Sequence, residues 1–253
     1  MTDIGRATAV LDVLAESRGP LTLSDLAART GLPRSTVHRL IQALEHELYV
    51  VGAAEGPGYV LGPGLLKFGM NAHLALLAAN RGRLASLARE VNENVELAVF
   101  SGREVVVADQ IASAERLKGV TKVGRSFSLH ASCIGWALLA QLPDDRVERL
   151  LPRRLERYTE RTVTDRAAVL AGLDETRRSG IAIDIEEHDL GICAVSTGMP
   201  GPTGALQAVA VVMPTCRFRG KAELAVRCLK RLNPVIDTEA ALRQCRDRPA
   251  PRS

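Results

Sequence analysis

The residue types best suited to nucleophilic chemistry lie in the second half of the chain. His130 is followed closely by Cys133, and further on His188 and Asp189 precede Cys193. A cysteine becomes a strong nucleophile only when its pKa is lowered and a base lies within hydrogen-bonding reach. The spacing guarantees neither condition, and cysteine is among the most often buried residue types. We therefore favour inert, buried thiols and predict no catalytic residue and no enzyme activity.

An acidic cluster formed by Asp184, Glu186, Glu187 and Asp189 suggests either paired-carboxylate hydrolysis or a divalent metal. If the segment were a strand, Asp184 and Glu186 would share one face and Glu187 would lie on the other, which leaves no convergent pair. We expect Asp184 to be an acceptor in a pocket and the others to shape a loop. The five histidines are scattered, at positions 38, 46, 73, 130 and 188. We therefore expect neither a metal site nor a cofactor.

Cationic and hydroxyl side chains near the N-terminus indicate a different chemistry. They are Arg34, Ser35, Thr36, His38 and Arg39. Residues 29–44 contain three arginines, one histidine and no acid, whereas acids and bases balance at seven each over residues 1–81. The positive charge is therefore local, as a helix that docks on DNA requires. Arginine and hydroxyl donors can bind both the phosphates and the base edges of double-stranded DNA. A solvated helix face is the alternative interpretation of the same pattern.

The segments around these residues have the order of a winged helix-turn-helix. Thr22 and Asp25 have the spacing of a capping box, and Gly31 is placed to end that helix in the left-handed conformation. Pro33 then favours the start of a second helix. Its buried stripe would be Val37, Leu40, Ile41 and Leu44.

A wing and a supporting helix complete this predicted unit. Residues 49–51 and 59–61 form a strand pair around a Gly-Pro-Gly tip, and residues 4–17 have the apolar spacing of a first helix. A unit that ends near residue 62 leaves most of the 253 residues for a second domain with its own core.

Composition narrows the classes of function. The net charge of +4 is too small to indicate non-specific binding of polyanions, and aromatic residues at 3% are too scarce for stacking on single-stranded bases. The five cysteines contain no Cys-x-x-Cys pair, and the N-terminus does not resemble a secretion signal. We expect a reduced, cytoplasmic protein. No apolar run is long enough to predict a membrane span.

The second domain is predicted to be of the α+β class, with hairpin-linked strands and helices. Helices are expected over residues 65–79, 82–92, 131–141, 164–179 (ended by Gly180) and 222–243. Strands are expected over residues 95–100, 104–111, 181–185, 192–196 and 205–212. The apolar helix over residues 65–79 has one lysine and no basic face. A partner subunit is therefore a better explanation for it than a membrane surface.

Several ordered stretches resemble the IclR family of bacterial transcriptional regulators, and the resemblance extends over nearly the whole chain. They are residues 6–14, 31–40, 59–66, 129–140 and 184–191. The resemblance implies a GAF-like effector domain, in which a twisted antiparallel sheet forms one wall of a small-molecule pocket. It also implies homodimers, often assembled as dimers of dimers, that bind a pseudo-palindromic operator. The expected domains are a winged helix-turn-helix over residues 1–62, a linker helix over 63–81, an effector domain over 82–245 and a disordered tail over 246–253.

The resemblance also implies a set of effector-binding residues. Carried over position by position, they are Arg116, Gly119, Cys133, Ile134, Asp184, Ile192, Ala194, Ala210 and Val212. Members of the family that bind small oxoacids have hydroxyl side chains on the last strand, where this chain has Ala210 and Val212. A carboxylate buried there would lack donors. We therefore expect an effector that is larger or more apolar than a two- or three-carbon acid. Two further departures are Trp136, where lysine is usual, and residues 195–198, where an Ala-Ala-Pro-Val-like segment is usual.

These observations predict a DNA-binding transcriptional regulator controlled by a small-molecule effector, a repressor of an adjacent catabolic or metabolic operon. Two alternatives remain open. One is a thiol-dependent enzyme with an accessory helix-turn-helix, which would use Cys133 or Cys193. The other is an architectural DNA-binding dimer that responds to no ligand.

Overall fold

The computed structural model describes residues 2–17, 19–119, 121–201 and 205–247. The chain divides into two compact units, Met1–Ala75 and Leu76–Ser253. The predicted α+β fold is confirmed, with an N-terminal winged helix-turn-helix and a C-terminal domain built on an antiparallel sheet. The predicted domain limits at residues 62 and 81 stay predictions. Residues 248–253 of the predicted disordered tail lie outside the described residues, and residues 246 and 247 belong to a helix.

The first unit begins with three helices: α1 Asp3–Glu16, α2 Leu23–Thr30 and α3 Arg34–His46. The side chain of Thr22 accepts from the backbone of Asp25, whose carboxylate accepts from the backbone of Thr22, so the capping box is confirmed. Gly31 ends α2 with a φ of 67°, a conformation that a side chain would strain. The predicted stripe of α3 is buried against α1 and α2, and consists of Val37, Leu40, Ile41 and Leu44.

The wing consists of β1 Val50–Gly52, β2 Tyr59–Leu61 and the turn between them. The backbones of Leu21 and Tyr59 exchange two hydrogen bonds, of 3.1 and 2.8 Å, which fasten β2 to the start of α2. Gly58 has a φ of 140°, and a Cβ there would lie 2.9 Å from Cβ of Pro20. Glycine is therefore needed where the wing passes the chain that enters α2. The predicted strand pair is confirmed to within one residue.

Helix α4, Leu66–Val91, follows the wing after a short 3-10 turn, Pro63–Leu65. The prediction of two helices over residues 65–79 and 82–92 is wrong, because α4 is continuous. Asn80 does not interrupt the helix, since its side chain donates to the carbonyl of Leu76 one turn earlier, at 2.9 Å. Gly82 lowers helix propensity by only about 1 kcal/mol, which neighbouring packing can offset.

A six-stranded antiparallel sheet forms the centre of the second unit. Its strands are β3 Asn94–Phe100, β4 Val105–Ile111, β5 Ser126–Phe127, β6 Ala182–Ile185, β7 Ile192–Pro200 and β8 Leu206–Pro214. Their order across the sheet is β5-β4-β3-β8-β7-β6. One face packs on α5 Cys133–Leu139, α6 Asp144–Leu150 and α7 Arg166–Ser179. The other face packs on the C-terminal part of α4, on α8 Thr215–Leu232 and on α9 Thr238–Asp247.

The sequence did not predict every element of this unit. Strand β5 and helix α6 were not expected, and the predicted helix over residues 222–243 is in fact two helices. Helix α8 begins earlier, at Thr215, and ends at Leu232. The break follows from Pro234, because a residue before proline is disfavoured in the helical conformation. Asn233 accordingly has φ −128° and ψ 94°. The prediction that Gly180 ends α7 is confirmed by its left-handed φ of 76°.

Candidate functional site

The five residues predicted to contact DNA all belong to α3. Arg34, Ser35, His38 and Arg39 are exposed and Thr36 is partly exposed, on the side opposite the buried stripe. The guanidinium of Arg39 lies 3.8 Å from the carboxylate of Asp3 in α1. The structure thus presents cationic and hydroxyl donors on one accessible face of a helix whose other face anchors it to the unit.

A cavity of about 430 Å³ lies on the sheet face that packs against α5. Eight of the predicted effector residues line it: Gly119, Cys133, Ile134, Asp184, Ile192, Ala194, Ala210 and Val212. The ninth, Arg116, is exposed and is not among the lining residues. The remaining lining residues are Glu96, Lys118, Thr121, Arg125, Phe127, Ser132, His188 and Asp189.

Strand β8 explains why space remains on this face. Its residues alternate, so that Ala208, Ala210 and Val212 point to the cavity side and larger residues, such as Met213, point into the opposite core. Ala194 of β7 pairs with Val212 and continues the row of small side chains. Small residues on one face and larger ones on the other leave the helices above the sheet with a gap beneath them.

The wall opposite the sheet is the N-terminal end of α5. Ser132 caps this helix by accepting from the backbone of Gly135 at 3.2 Å. Ser196 of β7 donates to the carbonyl of Cys133 at 2.7 Å, which ties the helix to the sheet. The first two residues of α5, Cys133 and Ile134, are thereby held against the cavity.

A loop after β4 closes another side. Asn94 of β3 fastens it twice, since its side chain accepts from the backbone of Ser113 at 2.6 Å and donates to the carbonyl of Gly119. Lys118 donates to the carbonyl of Ser113 at 2.8 Å. Hydrogen bonds to Asn94 of β3 and one bond within the loop therefore hold the cationic and backbone groups that line the cavity.

Two carboxyl groups enter the cavity from different strands of the sheet. Glu96 of β3 and Asp184 of β6 are 3% and 8% exposed, and β8 and β7 lie between their strands. Burial raises the pKa of Glu96, while hydrogen bonding to Thr121 and the charge of Arg125 oppose that rise. Asp184 accepts from the backbone of Glu187 at 2.7 Å.

The loop after β6 departs from the predicted alternation of its acidic residues. Strand β6 ends at Ile185, and Glu186 has a φ of 59°, so Glu186 does not continue the face of Asp184. Its carboxylate instead accepts from the backbone of Gly191 at 2.9 Å and lies 3.5 Å from Arg161. The expectation that Glu186 shapes a loop fits this arrangement. The shared face expected for Asp184 and Glu186 is wrong, because the strand ends between them.

The same loop places His188 and Asp189 at the cavity. The imidazole of His188 stacks on the ring of Tyr158 at a centroid distance of 4.7 Å and meets the edge of Phe127 at 4.9 Å. The contact with His188, followed by the charge of Arg125, lowers the pKa of Asp189. Asp189 and Arg125 lie 3.5 Å apart, and the Arg125 guanidinium also lies 4.7 Å from the Phe127 ring centre.

Cys133 and Cys193 do not have the environment of activated nucleophiles. Burial raises the pKa of Cys133 well above its ordinary value and raises the pKa of Cys193 to about 11. Within the described part of the chain, no group of three or more His, Cys, Asp or Glu residues is arranged to hold a metal ion. No helix in that part is long and apolar enough to span a membrane.

Sequence analysis missed Glu96, although a signal was present. Glu96 is the one charged residue inside an otherwise apolar strand, and in strand alternation it shares a face with Ala98. An acid at such a position marks either an edge or a cavity. The contributions of Arg125, Phe127 and Ser132 depend on loop paths that no local pattern indicates.

Comparison with known proteins shows matches in both parts of the chain. Residues 4–52 match the family model described as the IclR helix-turn-helix domain. Residues 70–234 match the model described as the C-terminal region of the bacterial transcriptional regulator IclR.

Individual relatives extend this similarity. The HTH-type transcriptional regulator Rv1719 of Mycobacterium tuberculosis is 41% identical over 224 residues, which cover 88% of this chain and 86% of that protein. The transcriptional repressor IclR of Escherichia coli is 33% identical over 192 residues, 74% of this chain and 70% of its own.

Two crystal structures share the fold. An IclR transcriptional regulator from Silicibacter sp. TM1040 aligns over 100% of both chains with a TM-score of 0.81 and 24% identity. An IclR homologue from Microbacterium hydrocarbonoxydans, complexed with 4-hydroxybenzoate, aligns over 96% of this chain and 100% of its own, with a TM-score of 0.70 and 23% identity.

Proposed function

The chain belongs to the IclR family of bacterial transcriptional regulators, and on that premise we propose that it is an effector-controlled repressor of an adjacent catabolic or metabolic operon. It binds double-stranded DNA through the winged helix-turn-helix, and a small molecule bound in the second unit changes its affinity for the operator. The repressor IclR of Escherichia coli, at 33% identity, supports this direction of control.

The observation that carries the proposal is the two-sided character of α3. Its apolar stripe is buried in the first unit, while Arg34, Ser35, His38 and Arg39 are exposed on the other side. A recognition helix needs this division, because its base-reading residues must enter the major groove while its apolar side holds it in place. The wing and the backbone around it would grip neighbouring phosphates.

The cavity on the sheet supports control by a small molecule. Its volume of about 430 Å³ is at the small end of the range usual for ligand pockets, and its lining mixes apolar residues with a few polar groups. The Microbacterium homologue, which has the same fold, is complexed with the small aromatic compound 4-hydroxybenzoate. Eight of the nine effector residues implied by the family resemblance lie together in this cavity.

Exposed apolar residues on α4 support a homodimer. Leu66, Phe68, Met70 and Leu74 are between 56% and 61% exposed, within one short stretch of the helix. Contiguous apolar surface of this kind is costly in water and marks an interaction surface. A second copy of the chain would cover it, and the paired subunits would read the two halves of a pseudo-palindrome; pairing of dimers into tetramers would follow the same family pattern.

Effector control requires that the ligand bind one arrangement of the dimer better than another. We assign the transmitting role to α4, because the helix begins in the first unit and ends in the second. In this proposal no residue is catalytic. A cytoplasmic location is part of the same proposal, since a regulator of transcription must reach its operator.

The test is binding of the full-length protein to its own upstream DNA, measured by fluorescence anisotropy against random duplex of equal length. A sequence preference with a steep loss of affinity at higher salt is expected, because phosphate contacts release counterions. The matched variants are Arg39→Ala in α3 and Arg178→Ala, an exposed arginine of α7 in the other unit. The proposal fails if the protein shows no preference for its upstream DNA over random duplex. It also fails if Arg39→Ala binds that DNA as tightly as Arg178→Ala does.

A metabolite screen by thermal shift tests the effector. A compound that stabilises the second unit and also changes operator affinity is expected. If no stabilising compound alters DNA binding, the architectural alternative is favoured.

A further inference from the structure

The loop after β4 touches the cavity at Gly119. Gly119 and Lys118 both belong to the cavity lining. A Cβ atom at position 119 would lie 3.3 Å from the side chains of Ile192 and Val212, so the loop backbone rests directly on the sheet wall of the cavity. A ligand that occupies the space beside Ile192 and Val212 therefore meets this loop and can displace it.

The earlier part of the same loop is fastened to the end of α4. Helix α4 ends at Val91, and Asn92 then turns the chain with a φ of 49°. The side chain of Asn92 donates to the carboxylate of Glu115 at 2.7 Å, and its backbone carbonyl accepts from the hydroxyl of Ser113 at 3.2 Å. The loop thus contacts the end of α4 with its first part and the cavity with its later part.

Arg217, in the first turn of α8, bridges this loop and the segment after α4. Its guanidinium donates to both carboxylate oxygens of Glu93, at 2.5 and 2.7 Å, and to the backbone carbonyl of Leu117 at 2.8 Å. Glu93 is fully buried and follows Asn92 directly in the chain. A planar guanidinium bound to both oxygens of a carboxylate has a fixed orientation, so the positions of Leu117 and Glu93 depend on each other.

Lys221, one turn later in α8, binds the same carboxylate. Within the described part of the chain, its polar contacts are with Glu93, at 2.9 Å, and with the carbonyls of Val91 and Asn92, at 3.1 and 3.2 Å. Both cations therefore stabilise the buried carboxylate of Glu93, whereas the contact with the loop belongs to Arg217.

From these contacts we infer that Arg217 is a positioning residue of the regulator: it couples the loop at the cavity to the end of α4, so that a ligand which moves the loop also moves Glu93 and the helix before it. The inference rests on the proposed function, in which the cavity is the effector site and α4 transmits its state. It adds the contact by which the cavity reaches α4. The coupling acts when the ligand binds one position of the loop better than another.

Gly119→Val moves the loop by substitution, so the test needs no effector. The added side chain presses on Ile192 and Val212 and displaces the loop from the cavity side. Hydrogen exchange followed by mass spectrometry measures the effect on residues 84–91 of α4 in the full-length protein. Gly119→Val should raise their exchange rates about fivefold, because strain in the loop reaches the end of the helix through Arg217.

Arg217→Lys keeps a positive charge opposite Glu93 but loses the planar fork that binds Glu93 and Leu117 together. In this background, Gly119→Val should change the exchange rates of α4 by less than about twofold. Lys221→Met is the matched control, since it removes the other cation of Glu93 and leaves Arg217 on the loop. Lys221→Met should lower stability in urea, as Arg217→Lys does, and should retain the full response to Gly119→Val.

A double variant covers the case in which Arg217→Lys is too unstable to purify. Glu93→Gln combined with Arg217→Met removes the ion pair without leaving a buried carboxylate short of a partner. The response of α4 to Gly119→Val should be as small in this background as in Arg217→Lys.

Two results would overturn the role of Arg217: exchange of α4 that Gly119→Val leaves unchanged in the otherwise wild-type protein, or a response that is as large with Arg217→Lys as without it. Binding of upstream DNA by the wild-type protein is measured separately. If Arg217→Lys abolishes the exchange response but no operator is bound, the regulator proposal fails and the coupling stands. If the operator is bound and the exchange response survives Arg217→Lys, the reverse holds.

Discussion

The side chains of Asn80 on α4 and Gln207 on β8 form two hydrogen bonds with each other, of 3.2 and 3.4 Å. Both residues are buried, at 3% and 1% exposure. The backbone carbonyl of Gln207 also accepts from the side chain of Gln141, just beyond α5, at 3.2 Å. Further along β8, Ala210 is part of the cavity floor. A hydrogen-bonded path therefore connects the helix and the strand that line the cavity with the helix that leads towards the DNA-binding unit.

We expect Asn80→Ala to uncouple effector binding from DNA binding. Loss of the Asn80 amide leaves the buried Gln207 side chain with fewer partners, which should lower the free energy of unfolding by about 1–3 kcal/mol. The effector should still bind, but its effect on operator affinity should shrink about fivefold. Urea denaturation, calorimetry and anisotropy measure the three quantities.

Asn233→Ala is the matched control for this uncoupling. Asn233 also donates from a partly buried amide, to Thr197 and Gly198 of β7 at 2.9 Å, but it belongs to the segment after α8 and not to α4. Asn233→Ala should lower the free energy of unfolding without changing the effect of the effector on operator affinity. An unaltered effector response in Asn80→Ala would show that this pair transmits nothing. Additive losses of unfolding free energy when Asn80→Ala is combined with Gln207→Ala would show that the two side chains do not interact.

The exposed face of α3 should divide into general and base-specific contacts. Arg39→Ala should weaken binding to all duplexes and reduce the salt slope by about one, as expected for a lost phosphate contact. Arg34→Ala and Ser35→Ala should instead relax base preference, with discrimination falling by about 1–3 kcal/mol at the affected position. Binding to a set of single-base operator variants separates the two classes. Unchanged operator affinity in all three variants would show that α3 does not bind in the major groove.

Asp3 is expected to oppose DNA binding. Its carboxylate lies 3.8 Å from Arg39, so it draws a cation away from the phosphates and adds a negative charge near them. Asp3→Asn should raise operator affinity about two- to fivefold at low salt, with the gain lost as screening increases. Asp12→Asn, a change of the same kind later in α1, is the control. A gain that persists at high salt would point to a cause other than charge.

The local signals of the first unit were sufficient to predict it from sequence. The capping box at Thr22, the glycine at position 31 and the apolar stripe of α3 each act within a few residues. Gly180 was predictable for the same reason. Pro234 ends α8 by an equally local effect, because the residue before a proline is disfavoured in the helical conformation.

The cavity was harder to predict, because it is made by the pairing of distant segments. Alternation along β8 fixes which residues share a face, but only the sheet order brings Glu96 and Asp184 to one space. The end of β6 at Ile185 depends on the left-handed backbone of Glu186, a conformation that the sequence does not signal. Of the nine positions implied by the family resemblance, eight line the cavity, and the ninth, Arg116, is exposed.

The pH dependence of stability should report on Glu96. Its pKa is raised in the folded state, so the folded protein binds the proton more tightly than the unfolded chain does. This contribution to stability is complete below the unfolded pKa of about 4.3 and is lost as pH rises through the folded pKa. Glu96→Gln should therefore gain stability relative to wild type over that interval, as measured by urea denaturation.

The increase in stability of Glu96→Gln with rising pH distinguishes Glu96 from acids whose pKa is lowered by folding. Asp189 acts in the opposite direction, since its lowered pKa makes stability fall as pH drops through the folded pKa. Both proteins contain Asp189, so most of its effect drops out of the difference in unfolding free energy between Glu96→Gln and wild type. Glu148→Gln shows the effect of replacing an exposed acid. A difference between Glu96→Gln and wild type that stays constant with pH would mean that burial does not shift the Glu96 carboxyl.

Thiol labelling should decide against the enzyme alternative. Cys133 and Cys193 are buried and their pKa values are raised, that of Cys193 to about 11, whereas Cys216 is exposed. Because the thiolate is the reactive form, iodoacetamide at about pH 8 should modify Cys216 first and the two buried thiols more than a hundredfold more slowly. Mass spectrometry of peptides taken during the reaction gives these rates, and unfolding in urea should make all three thiols react alike.

Operator affinity should survive the modification of Cys216, since α8 lies in the unit that does not contain α3. Fast labelling of Cys133 or Cys193 in the folded protein would mean an activated thiol, and the thiol-dependent enzyme would again have to be considered.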